Sequence, residues 1–364
     1  MGSQIGTLRR PVVPKILNDP RTSKWYSREE RLGEGAFGQC FKMTDMDSGE
    51  TYAVKVIPLK YGQKQWACKE AEILKKMQHK HVVGISHSFE DETNMYIFME
   101  LCRKETLMSI KNARGTLTTP EVRYYMRQLI LGLKYIHEQG YVHRDIKLAN
   151  LFINENMEIK IGDFGLATKQ DPRDIQLCGT FNYIAPEVWR RQGHGPESDV
   201  WAMGCVMYQL LVGELPFDFS DISKLVASIW GLLFTLPRKV PKSARRLLKK
   251  IFQVNPQDRP TLDQILQDKF FTEGFTPEEL PASSCYSVPQ LEEIHHIQPV
   301  SRVRRFFRRL TQCFIQRNRS RVESPYVEHN RVQVAQPAET PSIRQVERRP
   351  LIIPLKEEPA KSPC

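Results

Sequence analysis

Alternating apolar and polar positions set in near residue 32 and continue, with interruptions, to about residue 101. Segments at 32–43, 51–58 and 95–101 carry the period of two expected of half-buried strands. Between the last two, Gln65 to Gln78 has its apolar residues at helical spacing instead. From about residue 106 the helical period takes over. Thr119-Pro120-Glu121 reads as a helix start, with Thr as N-cap, Pro in the first turn and Glu at the positive end of the dipole. That helix runs through Tyr135 and His137 and stops at Gly140, a natural C′ residue. Residues 1–25 read as an irregular lead-in, because Pro11, Pro14 and Pro20 break any long helix. From residue 275 to 364 the folded pattern fades into Pro, Ser, Arg and Glu, as in a mostly disordered tail. The pattern predicts an α+β chain: a small strand-rich N-lobe at about 26–102 and a helical C-lobe at about 103–274. A cleft between two such lobes is a natural ligand site. No internal repeat is visible.

Composition narrows the function classes. The chain has 364 residues, 40% of them hydrophobic, enough for two coupled lobes with a real core plus a tail. No run approaches the roughly 18 apolar residues of a membrane span, and the N-terminus has no apolar stretch to act as a secretion signal. The start, Met1-Gly2-Ser3-Gln4-Ile5-Gly6, lacks the Ser or Thr that N-myristoylation wants at the sixth position. Eight cysteines are scattered without a CxxC pair, which argues against a zinc site or a disulfide framework. Free thiols in cytosol or nucleus fit better, and Cys364, as the last residue, leaves no prenylation box. The net charge of +11 suits acidic partners or a role in solubility alone, and charge by itself does not choose between them. It concentrates at 301–321, which holds eight arginines and no acid. There Val303, Phe306, Phe307, Leu310 and Phe314 share one helical face, as in an amphipathic helix at about 300–316. Such a stretch suits an anionic membrane, an acidic protein partner or nuclear import, and equally a solvated disordered tail, with no sequence-specific nucleic-acid binding expected.

Four motifs occur in order, each in the local context it requires. Gly33-Glu34-Gly35-Ala36-Phe37-Gly38 lies between two strands. Glycines let the backbone approach phosphate oxygens without a Cβ in the way. Cys40 and Phe41 continue a strand and not a helix, which favours a hairpin lid over phosphates. Ala53-Val54-Lys55 ends an apolar strand on a lysine that needs an anion; Glu70 on the next helix and the phosphates of ATP would supply it. In His143-Arg144-Asp145-Ile146-Lys147-Leu148-Ala149-Asn150, Asp145 can accept a hydroxyl proton, Lys147 can offset phosphoryl charge, and Asn150 can coordinate a metal. The lysine two residues after Asp145 points to Ser/Thr and not Tyr substrates. Asp163-Phe164-Gly165 follows thirteen residues after Asn150, and Asp163 would hold Mg²⁺. Ala185-Pro186-Glu187 and Arg259 form a natural ion pair, and Asp199-Val200-Trp201 would anchor the catalytic loop from a buried helix.

Together these residues resemble the protein-kinase family over about 25–275, and within it the polo-like kinases. The subfamily likeness rests on Cys40, on His79-Lys80-His81-Val82-Val83, on Leu177-Cys178-Gly179-Thr180, on Asn182 through Glu187 and on Gly193 through Asp199. The resemblance implies the two-lobe kinase fold. It implies an ATP site at Leu32, Gly33, Glu34, Gly35, Ala36, Phe37, Gly38, Gln39, Cys40, Ala53 and Lys55, at the hinge Glu100 to Cys102 behind Met99, and at Phe152 beneath the adenine. It also implies roles in cell division and at centrosomes. Three departures stand out. Fewer than 100 residues follow the kinase region, and they do not read as polo boxes. Gln176 stands where the family carries a regulatory Thr, in an activation segment a few residues short. A kinase so built is either constitutively ordered or regulated elsewhere. Phe181 replaces the family's Pro. Two rival readings are a pseudokinase that only binds nucleotide and a scaffold acting through the Arg-rich tail; Lys55, Asp145, Asn150 and Asp163 are all intact, which favours the enzyme.

Overall fold

A computed structural model describes residues 13–35, 38–59, 63–102, 105–171, 173–217 and 221–290. The N-lobe is one antiparallel sheet built from β1 (Ile16–Asp19), β2 (Lys24–Glu34), β3 (Gln39–Asp45), β4 (Thr51–Pro58), β5 (Ile85–Glu90) and β6 (Asn94–Glu100). Its order is β1-β2-β3-β4-β6-β5. Alternation is regular in β3 and β4, so Phe41, Met43, Val54 and Val56 pack with Tyr26, Tyr96 and Phe98 on the buried face. Lys55 falls on the other face, and its backbone sits opposite Cys40 and Ile97. Helix α1 (Gln63–Lys76) packs across the sheet and turns the buried Glu70 inward.

Two expectations for this region are corrected. The lead-in at 1–25 is not irregular throughout, because Ile16–Asp19 pairs with Ser27–Lys24 as β1 and Val13 joins the core. The prolines mislead because they flank the strand without interrupting it. The strand β5 was absent from the sequence pattern; only Ser88 and Phe89 are buried in it, so its period of two is weak.

The C-lobe is helical. Helix α2 (Leu107–Arg114) leads to α3 (Thr119–Glu138), whose cap lies one residue earlier than expected: Glu121 accepts from the backbone N–H and the hydroxyl of Thr118. Gly140 ends it in the left-handed region, φ 77°. Two short antiparallel pairs follow, β7 (Tyr141–Val142) with β10 (Thr168–Lys169), and between them the hairpin of β8 (Leu151–Ile153) and β9 (Ile159–Ile161). Then come α4 (Pro186–Trp189), α5 (Pro196–Val212), α6 (Ile222–Trp230), α7 (Lys242–Ile251), α8 (Leu262–Leu266) and α9 (Lys269–Thr272). Helix α5 is buried on every side from Ser198 to Leu211 and forms the lobe's centre. Among the described residues, no helix is long and apolar enough to cross a membrane.

The packed chain also runs past residue 274, where the pattern placed the domain's end. Leu280, Ser284 and Cys285 are buried, and Arg114 donates to the Ser284 carbonyl at 2.8 Å. The expected amphipathic helix at 300–316 lies outside the described residues.

Candidate functional site

The β2–β3 hairpin closes through Gly35 N–H donating to the Gly38 carbonyl at 2.9 Å. Only glycine fits at position 38, since a Cβ there would lie 2.2 Å from the Val56 carbonyl oxygen. Ala36 and Phe37 lie outside the described residues. Leu32, Glu100 and Cys102 edge an open cavity together with Tyr52 and Gly84. The Glu100 carboxylate is committed to the Gly84 N–H at 2.7 Å and to Lys160 at 2.9 Å. Ala53 pairs with Met99 across the sheet, and Phe152 packs so close to Gly162 that a Cβ there would strike its ring at 2.7 Å.

On the opposite face of β4 from Tyr52, outside the lining of that cavity, Lys55 Nζ donates to both Glu70 oxygens, at 2.7 and 2.9 Å, and to Asp163 Oδ1 at 2.8 Å. Burial works against the Lys55 charge, but the carboxylates of Asp163 and Glu70 outweigh it and raise its pKa. Burial likewise opposes the Asp163 charge, yet Lys55 wins and holds that carboxyl down at about 2. The same burial, without a strong partner, pushes the thiols of Cys40 and Cys102 up to about 12, so both stay protonated at neutral pH. Asp163 sits in the left-handed region, φ 60°, a conformation that costs a non-glycine residue about 1–3 kcal/mol. Phe164 anchors it, buried against the His143 ring at 4.9 Å between centroids.

Asp145 gathers a second cluster. Its Oδ1 accepts the Thr180 hydroxyl at 2.7 Å, and its Oδ2 faces Lys147 Nζ at 3.0 Å and Asn150 Nδ2 at 3.1 Å. Lys147 also donates to Thr180 Oγ1 at 3.0 Å. Asn150 spends Nδ2 on Asp145, so its side-chain oxygen Oδ1 is the atom suited to a cation, while the Gly162 N–H donates to the Asn150 backbone carbonyl at 3.0 Å and couples the two clusters. The loop is hung from α5, because Asp199 accepts the backbone N–H groups of His143 and Arg144, both at 2.9 Å. Arg259 and Glu187 form a fully buried bidentate pair at 2.7 and 2.6 Å.

The protein kinase domain family matches this chain over residues 26–271. The chain belongs to the protein kinase family. Serine/threonine-protein kinase PLK2 of Mus musculus is 46% identical over 286 residues, which is 77% of this chain and 42% of that protein. Serine/threonine-protein kinase PLK1 of Xenopus tropicalis is 44% identical over 284 residues, 76% of this chain and 47% of that protein. The inactive serine/threonine-protein kinase PLK5 of Mus musculus is 41% identical over 287 residues, 77% of this chain and 48% of that protein. The chain thus spans under half the length of the curated relatives it matches. These are polo-like kinases, as the sequence motifs suggested.

The two clusters contain groups that the sequence motifs did not assign. Thr180 was visible only as part of a motif, and its bond to Asp145 spans 35 residues of chain. Asp174, which pairs with Arg144, carried no motif at all. The one available signal was negative: residues 169–179 contain no Ser, Thr or Tyr.

Proposed function

We propose that this chain is an ATP-dependent serine/threonine protein kinase of polo-like type. What supports the reading most is the Asp145 carboxylate, which accepts an aliphatic hydroxyl, that of Thr180, at 2.7 Å beside Lys147. That is the reach and the chemistry a general base needs toward a Ser or Thr substrate. The substrate hydroxyl oxygen attacks the γ-phosphorus of ATP, the bond to the β–γ bridging oxygen breaks, ADP leaves, and the hydroxyl proton passes to Asp145. Lys147 offsets charge on the transferring group, and Lys55, fixed by Glu70, orients the α and β phosphates. The hard oxygen donors of Asn150 and Asp163 fit Mg²⁺, and the Asp163 carboxyl stays ionised to about pH 2. Bound there, Mg²⁺ would neutralise phosphate charge. Leu32 through Cys40, Ala53, the hinge at Glu100 and Cys102, and Phe152 would enclose the nucleotide.

The test is transfer of labelled phosphate from ATP-Mg²⁺ to casein, followed by phosphoamino-acid analysis. Labelled phosphoserine or phosphothreonine is expected, and phosphotyrosine alone would contradict the reading. The inactive relative gives the nucleotide-binding reading one specific support; ATP binding without any transfer would favour it. A role in cell division rests on the resemblance alone. Uniform distribution of the tagged chain through dividing cells would speak against it.

A further inference from the structure

We propose that Asp174 is a built-in replacement for an activating phosphate: a positioning residue that holds Arg144, and through it the Asp145 loop, in the transfer-ready arrangement without phosphorylation. This rests on the kinase reading above. Kinase activation segments are commonly ordered when a phosphorylated residue pairs with an arginine. In this chain that route is closed over 169–179, Lys-Gln-Asp-Pro-Arg-Asp-Ile-Gln-Leu-Cys-Gly, which offers no hydroxyl to phosphorylate. The nearest segment hydroxyls are occupied elsewhere. Thr168 accepts from Lys69 at 3.1 Å, and Thr180 donates to Asp145 at 2.7 Å.

The arginine is nevertheless paired. Arg144 Nη1 contacts Asp174 Oδ2 at 2.8 Å, with the arginine side chain 1% exposed. Its Nε donates to the Leu166 carbonyl at 2.6 Å, which ties it to the turn after Asp163. Its backbone N–H is held by Asp199, and its φ of 67° places it in the left-handed region directly before Asp145. The returning segment passes so near that a Cβ on Gly179 would sit 2.8 Å from the Arg144 carbonyl oxygen. His194 Nε2 fixes the same stretch by donating to the Gln176 carbonyl at 2.7 Å. Lys69, on the helix that carries Glu70, also senses this pair: its ammonium is disfavoured by burial and by Arg144 and favoured by Asp174. One carboxylate therefore compensates a buried guanidinium at the junction of catalytic loop, Asp163 turn and α1. Without it, the buried Arg144 guanidinium would lose its carboxylate partner and keep the Leu166 carbonyl, which is strongly unfavourable for a buried cation.

A simpler role for Asp174 is a local turn, since its Oδ1 accepts the Gln176 N–H at 3.3 Å. Two substitutions separate charge from turn. Asp174→Asn keeps a turn acceptor and loses the charge; Asp174→Glu keeps the charge and loses the two-residue turn. With the full-length chain and casein, Asp174→Asn is expected to lower kcat by about 10- to 100-fold, with the KM for ATP changing by less than about twofold. Asp174→Glu should recover most of the rate. Phosphatase treatment of the wild-type chain should leave kcat within about twofold of the untreated value. Hydrogen exchange over 170–180 should rise in Asp174→Asn and not in Asp174→Glu. An Asp174→Asn protein matching wild type in rate and exchange would overturn the proposal, as would loss of wild-type activity to phosphatase. If the wild-type chain transfers no phosphate at all, the kinase reading fails. Exchange then decides alone: charge-dependent protection of 170–180 upholds the positioning role, and equal exchange in all three proteins overturns it.

Discussion

Lys55 faces two carboxylates at once, and that geometry makes its ammonium hard to replace. Glu70 fixes it from α1 and Asp163 from the turn after β9, all within 2.9 Å. Lys55→Met would leave Glu70, 3% exposed, as a buried carboxylate without its cation. That substitution should reduce kcat/KM for ATP by about 100-fold or more, measured by initial rates. Residues of this kind were legible in the sequence because their spacing along the chain is short and fixed: Lys55 after the glycine loop, Asn150 after Asp145, Asp163 after Asn150. Thr180 and Asp174 were not legible. Their partners Asp145 and Arg144 lie 35 and 30 residues away, a distance that only the folded activation segment closes.

At the scale of elements, polar anchors decide where strands and helices stop. Asp45 ends β3, accepts the Asp47 and Ser48 N–H groups, and receives Lys24 Nζ at 2.9 Å. The Lys24 hydrogen bond is the main reason its carboxyl drops from the ordinary 3.8 to about 2. A carboxyl with a depressed folded pKa contributes stability above its unfolded pKa and loses it as pH falls through the folded one. The Asp45 contribution is thus complete above about pH 4 and gone below about pH 2. Asp45→Asn should lower the melting temperature clearly at pH 7 and little at pH 2. The Arg259–Glu187 pair fixes the C-lobe, with the guanidinium also over the Trp201 ring at 5.1 Å. Arg259→Leu leaves a buried carboxylate and should cost about 3–5 kcal/mol in urea unfolding. This pair was readable from sequence because a glutamate in a buried motif demands a cation. Strands β1 and β5 were not readable: prolines flank the first, and the second buries too few residues to show a clean period.

On the scale of the whole molecule, the division into a sheet lobe and a helix lobe followed from the change of period near residue 106, and the described residues bear it out. The domain's far edge did not follow, because 275–290 is polar and rich in Pro and Ser and packs through few contacts. Those contacts are nonetheless buried: Leu280 and Cys285 are 5% and 1% exposed, and Arg123 reaches the Phe275 carbonyl at 2.9 Å. A chain ended at 274 should be less stable than one ended at 290 by roughly 2–4 kcal/mol, read from thermal melts of the two. Equal midpoints would return the boundary to 274.

Asp145 serves either chemistry or architecture alone, and its carboxylate is the group to remove. The direct measurement is the steady-state kcat for casein phosphorylation by the wild-type chain and by Asp145→Asn, with ATP affinity measured in parallel. Transfer by the wild type is expected, with a fall in kcat of about 10²- to 10⁴-fold in the variant and ATP affinity within about twofold. Equal rates in the two proteins, or no transfer by either while both bind ATP, would contradict that expectation.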